Sequence, residues 1–320
     1  MVKIASESMP TLRNLYFDTA TLYYRAFFAV PESITAPDGT PSGAVRGFLD
    51  MVSAIAKQFP PRQVVFAWDD DWRPQWRVDL LPSYKLHRVD EESSDQLDAA
   101  FEVIPDALSP QINAISLILD AIGLPRIGQI GHEADDVLGA LVSKTSEACD
   151  VVTGDRDLFQ LVNDQDNVRV ISITKGVKNL EVVDDNYLID RYGISGRQYA
   201  DFSMLRGDPS DGLPGVKGIG EKTAAKLITE FRDVPGLIAA AKDDSIQLAP
   251  AVRRNLLESQ SYMKAAGKVV RVKATAKLPK SLECPARVKD SHSLQELTDA
   301  WGIDRQVKRF LKTLNIDSVA

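Results

Sequence analysis

Apolar and polar positions alternate between two regimes along the first half of the chain. LRNLYFDTA (12–20), RQVVFAWDD (62–70) and CDVVTGDRD (149–157) each carry a short run of β-branched and aromatic residues without period-two alternation. That pattern predicts strands buried on both faces, as in a parallel sheet. Between them the period changes to that of a helix. GAVRGFLDMVSAIAKQF (43–59) puts Val45, Phe48, Leu49, Val52, Ile55 and Ala56 on one stripe; PQINAISLILDAIG (110–123) ends at a Gly stop; HEADDVLGALVSKTSE (132–147) offers Val137, Leu138, Leu141 and Val142 as a core face. Strands alternating with helices predict a doubly wound α/β domain. VRVISIT (168–174) and LEVV (180–183) read as a closing hairpin across KGVKN. After about residue 184 strand signals fade, and short helical segments follow, separated by GDPSDGLPG, DVPG and QLAP. This predicts a second, all-helical unit, then a strand-like KVVRVKAT (268–275) and one terminal helix near 291–314.

One connection is too long. Nearly 40 residues separate Asp71 from Pro110, where an α/β unit needs far fewer. The segment carries Trp72, Arg73, Trp76, Arg77, Tyr84, Lys85, His87 and Arg88, then turns acidic from Asp90. Interleaved cations and aromatics suit stacking on bases and holding phosphates.

Composition narrows the class. At 320 residues with 44% hydrophobic and 26% charged residues, the chain is an ordinary globular protein of about two domains. No apolar run approaches a membrane span, and MVKIASESMPT lacks the apolar core of a signal peptide. Two cysteines without a CxxC spacing fit a reducing cytoplasm and argue against a zinc finger. The net charge of −7 argues mildly against nucleic acid, but its distribution does not. Between Arg206 and Lys280 there are 14 Lys and Arg against 8 Asp and Glu, leaving the rest of the chain at −13. A basic helical unit beside an acidic α/β unit is therefore expected.

The acids have a pattern of their own. Three strands end in aspartate: Asp18, Asp69 and Asp155. In open α/β sheets, sites form outside the carboxyl ends of strands. Asp157 follows Asp155; Glu133, Asp135 and Asp136 open a helix, with Glu133 and Asp136 on a shared face; GDPSDG adds Asp208 and Asp211. Nine carboxylates brought together repel one another unless cations neutralise them. Oxygen ligands without Cys select Mg²⁺ or Mn²⁺ over Zn²⁺. Two such ions form the usual arrangement for phosphodiester cleavage. GVKGIGEKTA (215–224) is neither a Walker A loop nor a dinucleotide fingerprint. It offers backbone amides at a helix start, a phosphate site blind to base identity.

Together these stretches resemble the 5′-nuclease family: flap endonucleases, phage 5′-3′ exonucleases and the N-terminal domain of bacterial DNA polymerase I. The matching strings are YFDT, AWDDDWRPQWR, SYKLHR, GHEADDVLGAL, VTGDRDLFQL and GDPSDGLPGVKGIGEKTAAKL, in the family's order across most of 12–312. The resemblance implies a PIN-like, mostly parallel sheet with helices on both faces and a helical arch, then a smaller helix-hairpin-helix-type DNA-binding domain. The expected divisions are 12–183 for the nuclease domain with its arch at about 72–110, 184–290 for the helical domain, and 291–320 for a C-terminal helix packing back.

The resemblance assigns Asp69, Glu133, Asp135, Asp136 and Asp155 to a first metal cluster, with Asp18 beside it. Asp157, Asp208 and Asp211 fall in a second, with Asp155 shared. Tyr84, Lys85 and Arg88 match arch residues, among which the family's lysine and arginine hold the scissile phosphate; Arg77 matches a basic residue at the arch base. Gly215, Val216, Lys217, Gly218, Ile219, Gly220, Lys222 and Thr223 match a duplex-gripping element that often holds K⁺ on backbone carbonyls. Gly212 departs from the bacterial pattern, which usually has Asn there. The activity implied is a divalent-metal-dependent 5′-3′ exonuclease and flap endonuclease. It would act as a cytoplasmic monomer on DNA with 5′ flaps, nicks or free 5′ ends, with RNA primers and RNA/DNA hybrids as further substrates. Two other readings stay open: a structure-specific DNA-binding protein with vestigial chemistry, and a PIN-type ribonuclease, against which the basic helical unit argues.

Overall fold

A computed structural model describes residues 12–89 and 104–318. The first buried run forms strand β1 (Arg13–Asp18), and Asp18 caps helix α1 (Thr19–Ala29) by accepting the Thr21 amide. Helix α2 (Gly43–Gln58) returns to β2 (Pro61–Ala67), and a short helix α3 (Gln75–Leu80) opens the long insertion. Its middle, residues 90–103, lies outside the described residues. Helix α4 (Ser109–Ile122) follows and stops at Gly123, whose left-handed backbone closes the last turn. Strand β3 (Arg126–Ile127), helix α5 (Ala134–Lys144), β4 (Cys149–Thr153), β5 (Val168–Ser172) and β6 (Glu181–Val183) complete the α/β unit.

The sheet order is β3-β2-β1-β4-β5-β6, with every pair parallel except the β5–β6 hairpin. The strand order reverses at β1: the chain first builds outward through β2 and β3, then crosses to β4 on the other side. The crevice at the carboxyl ends of β1 and β4 is thus the place a ligand site is expected. Alternate side chains of the same strands enter two cores. Leu15, Phe17, Val64, Phe66 and Val152 pack with α1, α2 and α4 on one face. Tyr16, Val65, Ala67, Val151 and Val170 pack with α5 and the helices beyond on the other.

Those later helices are α6 (Asp185–Tyr192), α7 (Gly196–Arg206), α8 (Glu221–Phe231), α9 (Val234–Lys242), α10 (Pro250–Glu258) and α11 (Gln260–Val269). The predicted strand at 268–275 does not form. Residues 268–269 finish α11, and the extended stretch beyond is fastened by side chains: the Val272 amide donates to Gln160 Oε1 at 3.1 Å and the Lys273 amide to Asp136. Its β-branched residues serve packing instead, with Val272 lying against Gly139 of α5. The predicted terminal helix is two, α12 (Ser291–Trp301) and α13 (Asp304–Thr313), broken at Gly302 with φ +60°. These pack against α4 and α2, so the chain end straps the α/β unit.

Candidate functional site

The loops leaving β1, β2 and β4 and the start of α5 converge on a cleft of about 650 Å³. Six carboxylates line it: Asp18, Asp69, Glu133, Asp135, Asp155 and Asp211. Each is placed by local geometry that the sequence dictates. Asp18 ends β1, where it accepts from the Thr21 amide at 3.4 Å, the Thr153 hydroxyl at 2.6 Å and the Thr21 hydroxyl. Asp69 follows β2 and accepts the Ala134 amide at 2.7 Å, docking the start of α5 on the sheet. Asp155 follows β4 and accepts the Asp157 amide at 2.8 Å. Glu133 is the N-cap of α5 and Asp135 lies in its first turn, where the helix dipole favours negative charge.

Crowding of acids shows in their protonation. Burial, then Glu133 and Asp18, raise the Asp69 carboxyl to about 7 against the pull of Lys85. Burial, then Asp155, Asp18 and Glu133, push Asp135 well above the carboxylate range. Asp155 moves the same way, through desolvation by surrounding protein and then Asp157 and Asp211. Asp211 is raised by burial and by Glu133, with Lys85 and Arg88 opposing. Among the described residues no three acids, His or Cys stand together as a preformed ligand set. Lys85 enters the group instead: its Nζ lies 2.6 Å from Glu133. Burial works against that ammonium, but Glu133, Tyr84, Asp211 and Asp69 together raise its pKa well above normal.

Three of the nine acids stand apart from the cleft wall. Asp157 is buried just behind Asp155, accepting the Ser203 hydroxyl at 2.6 Å, and burial lifts it to about 6. Asp208 caps the short turn Pro209–Asp211 and pairs with Arg206 at 3.2 Å. Asp136 departs furthest from expectation. It is wholly buried, and both oxygens are saturated: Arg77 donates to them at 3.0 and 2.9 Å, as do the Glu133 and Lys273 amides. Glu133 and Asp136 form a capping box, and Asp136 is not among the residues that line the cleft. With both oxygens taken, the expected ligand role finds no support in this structure.

Two expected arch residues are also buried in this structure. Arg77 is 2% exposed, stacked between the Trp76 and Tyr84 rings and paired with Asp136 and Glu133, so it has no surface to offer DNA. Tyr84 is 4% exposed, and its hydroxyl meets both Glu133 oxygens at 2.9 and 3.0 Å. It holds Glu133 in place. Lys85 and Arg88 do line the cleft, the latter 3.3 Å from Asp211.

The 215–224 stretch does not line the cleft, but Glu221 lies 3.9 Å from Arg206, the partner of Asp157 and Asp208. Val216 and Ile219 are buried anchors, so their side chains cannot touch DNA. Gly218, Gly220, Lys217 and Lys222 are exposed, Gly215 and Thr223 partly so. Gly215 and Gly218 take φ of +70° and +75°, and Gly220 caps α8. Asn255 Nδ2 donates to the Lys217 carbonyl at 2.8 Å, fixing the turn. Sequence reasoning passed over α1, although Thr21, Tyr23, Tyr24, Arg25 and Phe28 all line the cleft. The signal was available: Asp18 is an N-cap residue type at the end of a strand, which marks a helix start.

Comparison with known proteins agrees with this fold. The 5′-3′ exonuclease N-terminal resolvase-like domain matches residues 13–193, and the 5′-3′ exonuclease C-terminal SAM fold matches 194–292. A 5′-3′ exonuclease of Streptomyces coelicolor is 50% identical over 94% of this chain and 99% of its own. One of Mycobacterium tuberculosis is 42% identical over 93% and 96%. The fold is that of T5 5′-exonuclease, solved with divalent metal ions (zinc) bound: TM-score 0.62 at 19% identity, over 94% of this chain and 100% of that one. It is also that of the catalytic core of Rad2 in complex with DNA substrate, with TM-score 0.58 at 13% identity over 95% and 93%. From one end of the matched span to the other, the chain belongs to the 5′-3′ exonuclease family.

Proposed function

We propose that this chain hydrolyses phosphodiester bonds at 5′ ends and single-strand/duplex junctions of DNA, as a divalent-metal-dependent 5′-3′ exonuclease and flap endonuclease. One observation carries the reading: six carboxylates from segments as distant as β1 and the 208–213 loop line one cleft together with Lys85 and Arg88. The donor set fits hard divalent ions, being all oxygen and left in mutual repulsion that raises Asp69, Asp135, Asp155 and Asp211. The residues that would hold them are Asp18, Asp69, Glu133, Asp135, Asp155 and Asp211, with Asp157 and Asp208 behind. When bound, a pair of such ions supplies charge neutralisation at the phosphate and acidifies water.

The protein's own groups set the rest. Lys85 and Arg88 present cations beside the acids, where a scissile phosphate gains most as its charge grows. Tyr84 and Arg77 hold Glu133 from behind, and Ser203 and Arg206 hold Asp157. The exposed glycines and lysines of 215–224 would take duplex phosphates without reading sequence. We assign 12–183 to the chemistry, 184–290 to duplex binding and 291–320 to strapping the α/β unit. The reading carries a K⁺ at the 215–220 loop, Mg²⁺ or Mn²⁺ as the natural ions, a monomeric state and a cytoplasmic location. Among the described residues no helix is long and apolar enough to cross a membrane.

The test is cleavage of an end-labelled 5′-flap duplex beside a nicked duplex, in Mg²⁺ and in EDTA. Cleavage near the junction in Mg²⁺ alone supports the proposal. Tight junction binding with no turnover in Mg²⁺ or Mn²⁺ refutes it in favour of a binding protein.

A further inference from the structure

Arg206 ends α7 against the second group of acids. One of its nitrogens, Nη2, lies among three oxygens: Asp208 Oδ2 at 3.2 Å, Ser203 Oγ at 3.2 Å and Asp157 Oδ1 at 3.7 Å. Asp157 comes from the turn after β4 and Asp208 from the loop after α7, and this nitrogen is the positive group between them. The other Asp208 oxygen accepts the Ser210 amide at 2.9 Å and hydroxyl at 2.5 Å, and Asp157 Oδ1 also accepts the Ser203 hydroxyl at 2.6 Å. A divalent ion drawn to both acids therefore meets a guanidinium that is already in place.

That guanidinium is placed by charge more than by hydrogen bonding. Its Nε donates to the Gly207 carbonyl at 3.1 Å, and the Phe202 ring lies 5.4 Å from its Cζ. Its Nη1 is buried and has no hydrogen-bond partner among the described residues; the Glu221 carboxylate, at the start of α8, is 3.9 Å away. Arg77 makes the contrast. All three of its nitrogens are bonded, to the Val269 carbonyl and to both Asp136 oxygens, as a buried strut requires. Arg206 leaves a buried donor unused, and attraction to two carboxylates offsets that cost. With the Arg206 side chain 10% exposed and that of Asp157 9%, solvent screens the attraction little.

We propose that Arg206 is a resident counter-cation of the Asp157–Asp208 pair: it holds those acids together when no metal is bound, and it lowers the affinity of the site for its second divalent ion. It is a positioning residue, acting through the acids and not on DNA. The proposal deepens the nuclease reading and rests on it for the existence of a second ion. The pairing of Arg206 with the two acids stands independently of that reading.

The experiment uses the full chain without DNA at pH 8. Electron paramagnetic resonance of free Mn²⁺ counts the bound ions and gives their constants, and melting temperatures are read in EDTA and in Mn²⁺. Arg206→Met removes the charge and keeps the stem. It should tighten the weaker Mn²⁺ constant about tenfold or more, lower the melting temperature in EDTA and enlarge the gain on adding Mn²⁺. Arg206→Lys keeps a cation within reach of the same oxygens, so its Mn²⁺ constants should stay within about threefold of wild type. Arg62→Met removes an exposed cation, paired with Glu147, near the strand end of β2 away from the cleft, and should match wild type in Mn²⁺ binding. A weaker Mn²⁺ constant in Arg206→Met that is unchanged or looser overturns the proposal. Equal tightening in Arg206→Met and Arg206→Lys also overturns it, because charge is then not the cause. Should Arg206→Met fail to fold in EDTA, Arg206→Gln keeps donors without charge and is read by the same outcomes. If wild type binds Mn²⁺ but does not cleave a 5′-flap duplex, the nuclease reading fails alone, and the Mn²⁺ constants still decide the role of Arg206.

Discussion

Arg77→Met separates a buried strut from a DNA contact. Methionine keeps much of the apolar stem and removes the guanidinium. Lost with it are two hydrogen bonds to Asp136 at 3.0 and 2.9 Å, the contact with Glu133 at 3.2 Å, and a bond from Nε to the Val269 carbonyl at 3.1 Å. Asp136 has no solvent access and would keep only two backbone amides for its charge. Removing one partner of a buried ion pair costs about 3–5 kcal/mol, because the other charge stays buried. At roughly 2–4 °C per kcal/mol for a large domain, the melting temperature should fall by about 6–20 °C. Thermal and urea unfolding read the loss; fluorescence anisotropy reads duplex binding well below both midpoints. The double variant Arg77→Met/Asp136→Asn should recover part of the stability, since no unpaired carboxylate then remains at 136. Binding should be little changed. A melting temperature within about 1 °C of wild type, with weaker binding and a shallower salt dependence, would refute the reasoning and mark Arg77 as a phosphate contact.

Asp155→Asn should abolish flap cleavage while leaving junction Kd within a few-fold; turnover at the wild-type rate in Mg²⁺ would remove Asp155 from the site. Lys85→Ala should slow single-turnover cleavage ~10²-fold or more with little change in Kd, since its contact strengthens as charge develops; a change in Kd alone would make it an anchor. The acids also predict a pH dependence. Folding raises Asp69 from 3.8 to about 7 and Asp157 to about 6, so the metal-free folded state binds more protons than the unfolded chain between pH 4 and 7. Stability without metal should therefore fall as pH rises through that window. Divalent ions favour the ionised acids, so the gain in melting temperature on adding Mg²⁺ should be larger at pH 8 than at pH 5. Metal-free stability rising from pH 5 to 7.5 would contradict this.

What the sequence reveals follows from how local each cause is. Asp18, Asp69 and Asp155 stand out because a buried parallel strand announces itself, and the acid at its end has one place to go. Asp136 is opaque for the opposite reason. An N3 acid that closes a capping box and pairs with Arg77 has the same spacing as a ligand, and only tertiary packing shows both oxygens taken. The cationic and aromatic stretch at 72–88 misleads in the same way, since Trp76 and Tyr84 fold Arg77 inward. Lys85 and Arg88, from the same stretch, do reach the cleft. KVVRVKAT has strand composition but finds no strand to pair with, and Gln160 and Asp136 take its amides. The two-residue β3 is too short to leave a periodic trace.

The central claim is that acids from β1 to the 208–213 loop share divalent cations in one cleft. Anomalous diffraction from crystals soaked in Mn²⁺ tests it most directly. The account predicts at least one strong peak within coordination distance of Asp155 and of at least two among Asp18, Asp69, Glu133, Asp135 and Asp211, and its loss in Asp155→Asn. Full Mn²⁺ occupancy elsewhere, with that cleft empty and the Lys85–Glu133 pair intact, would contradict it.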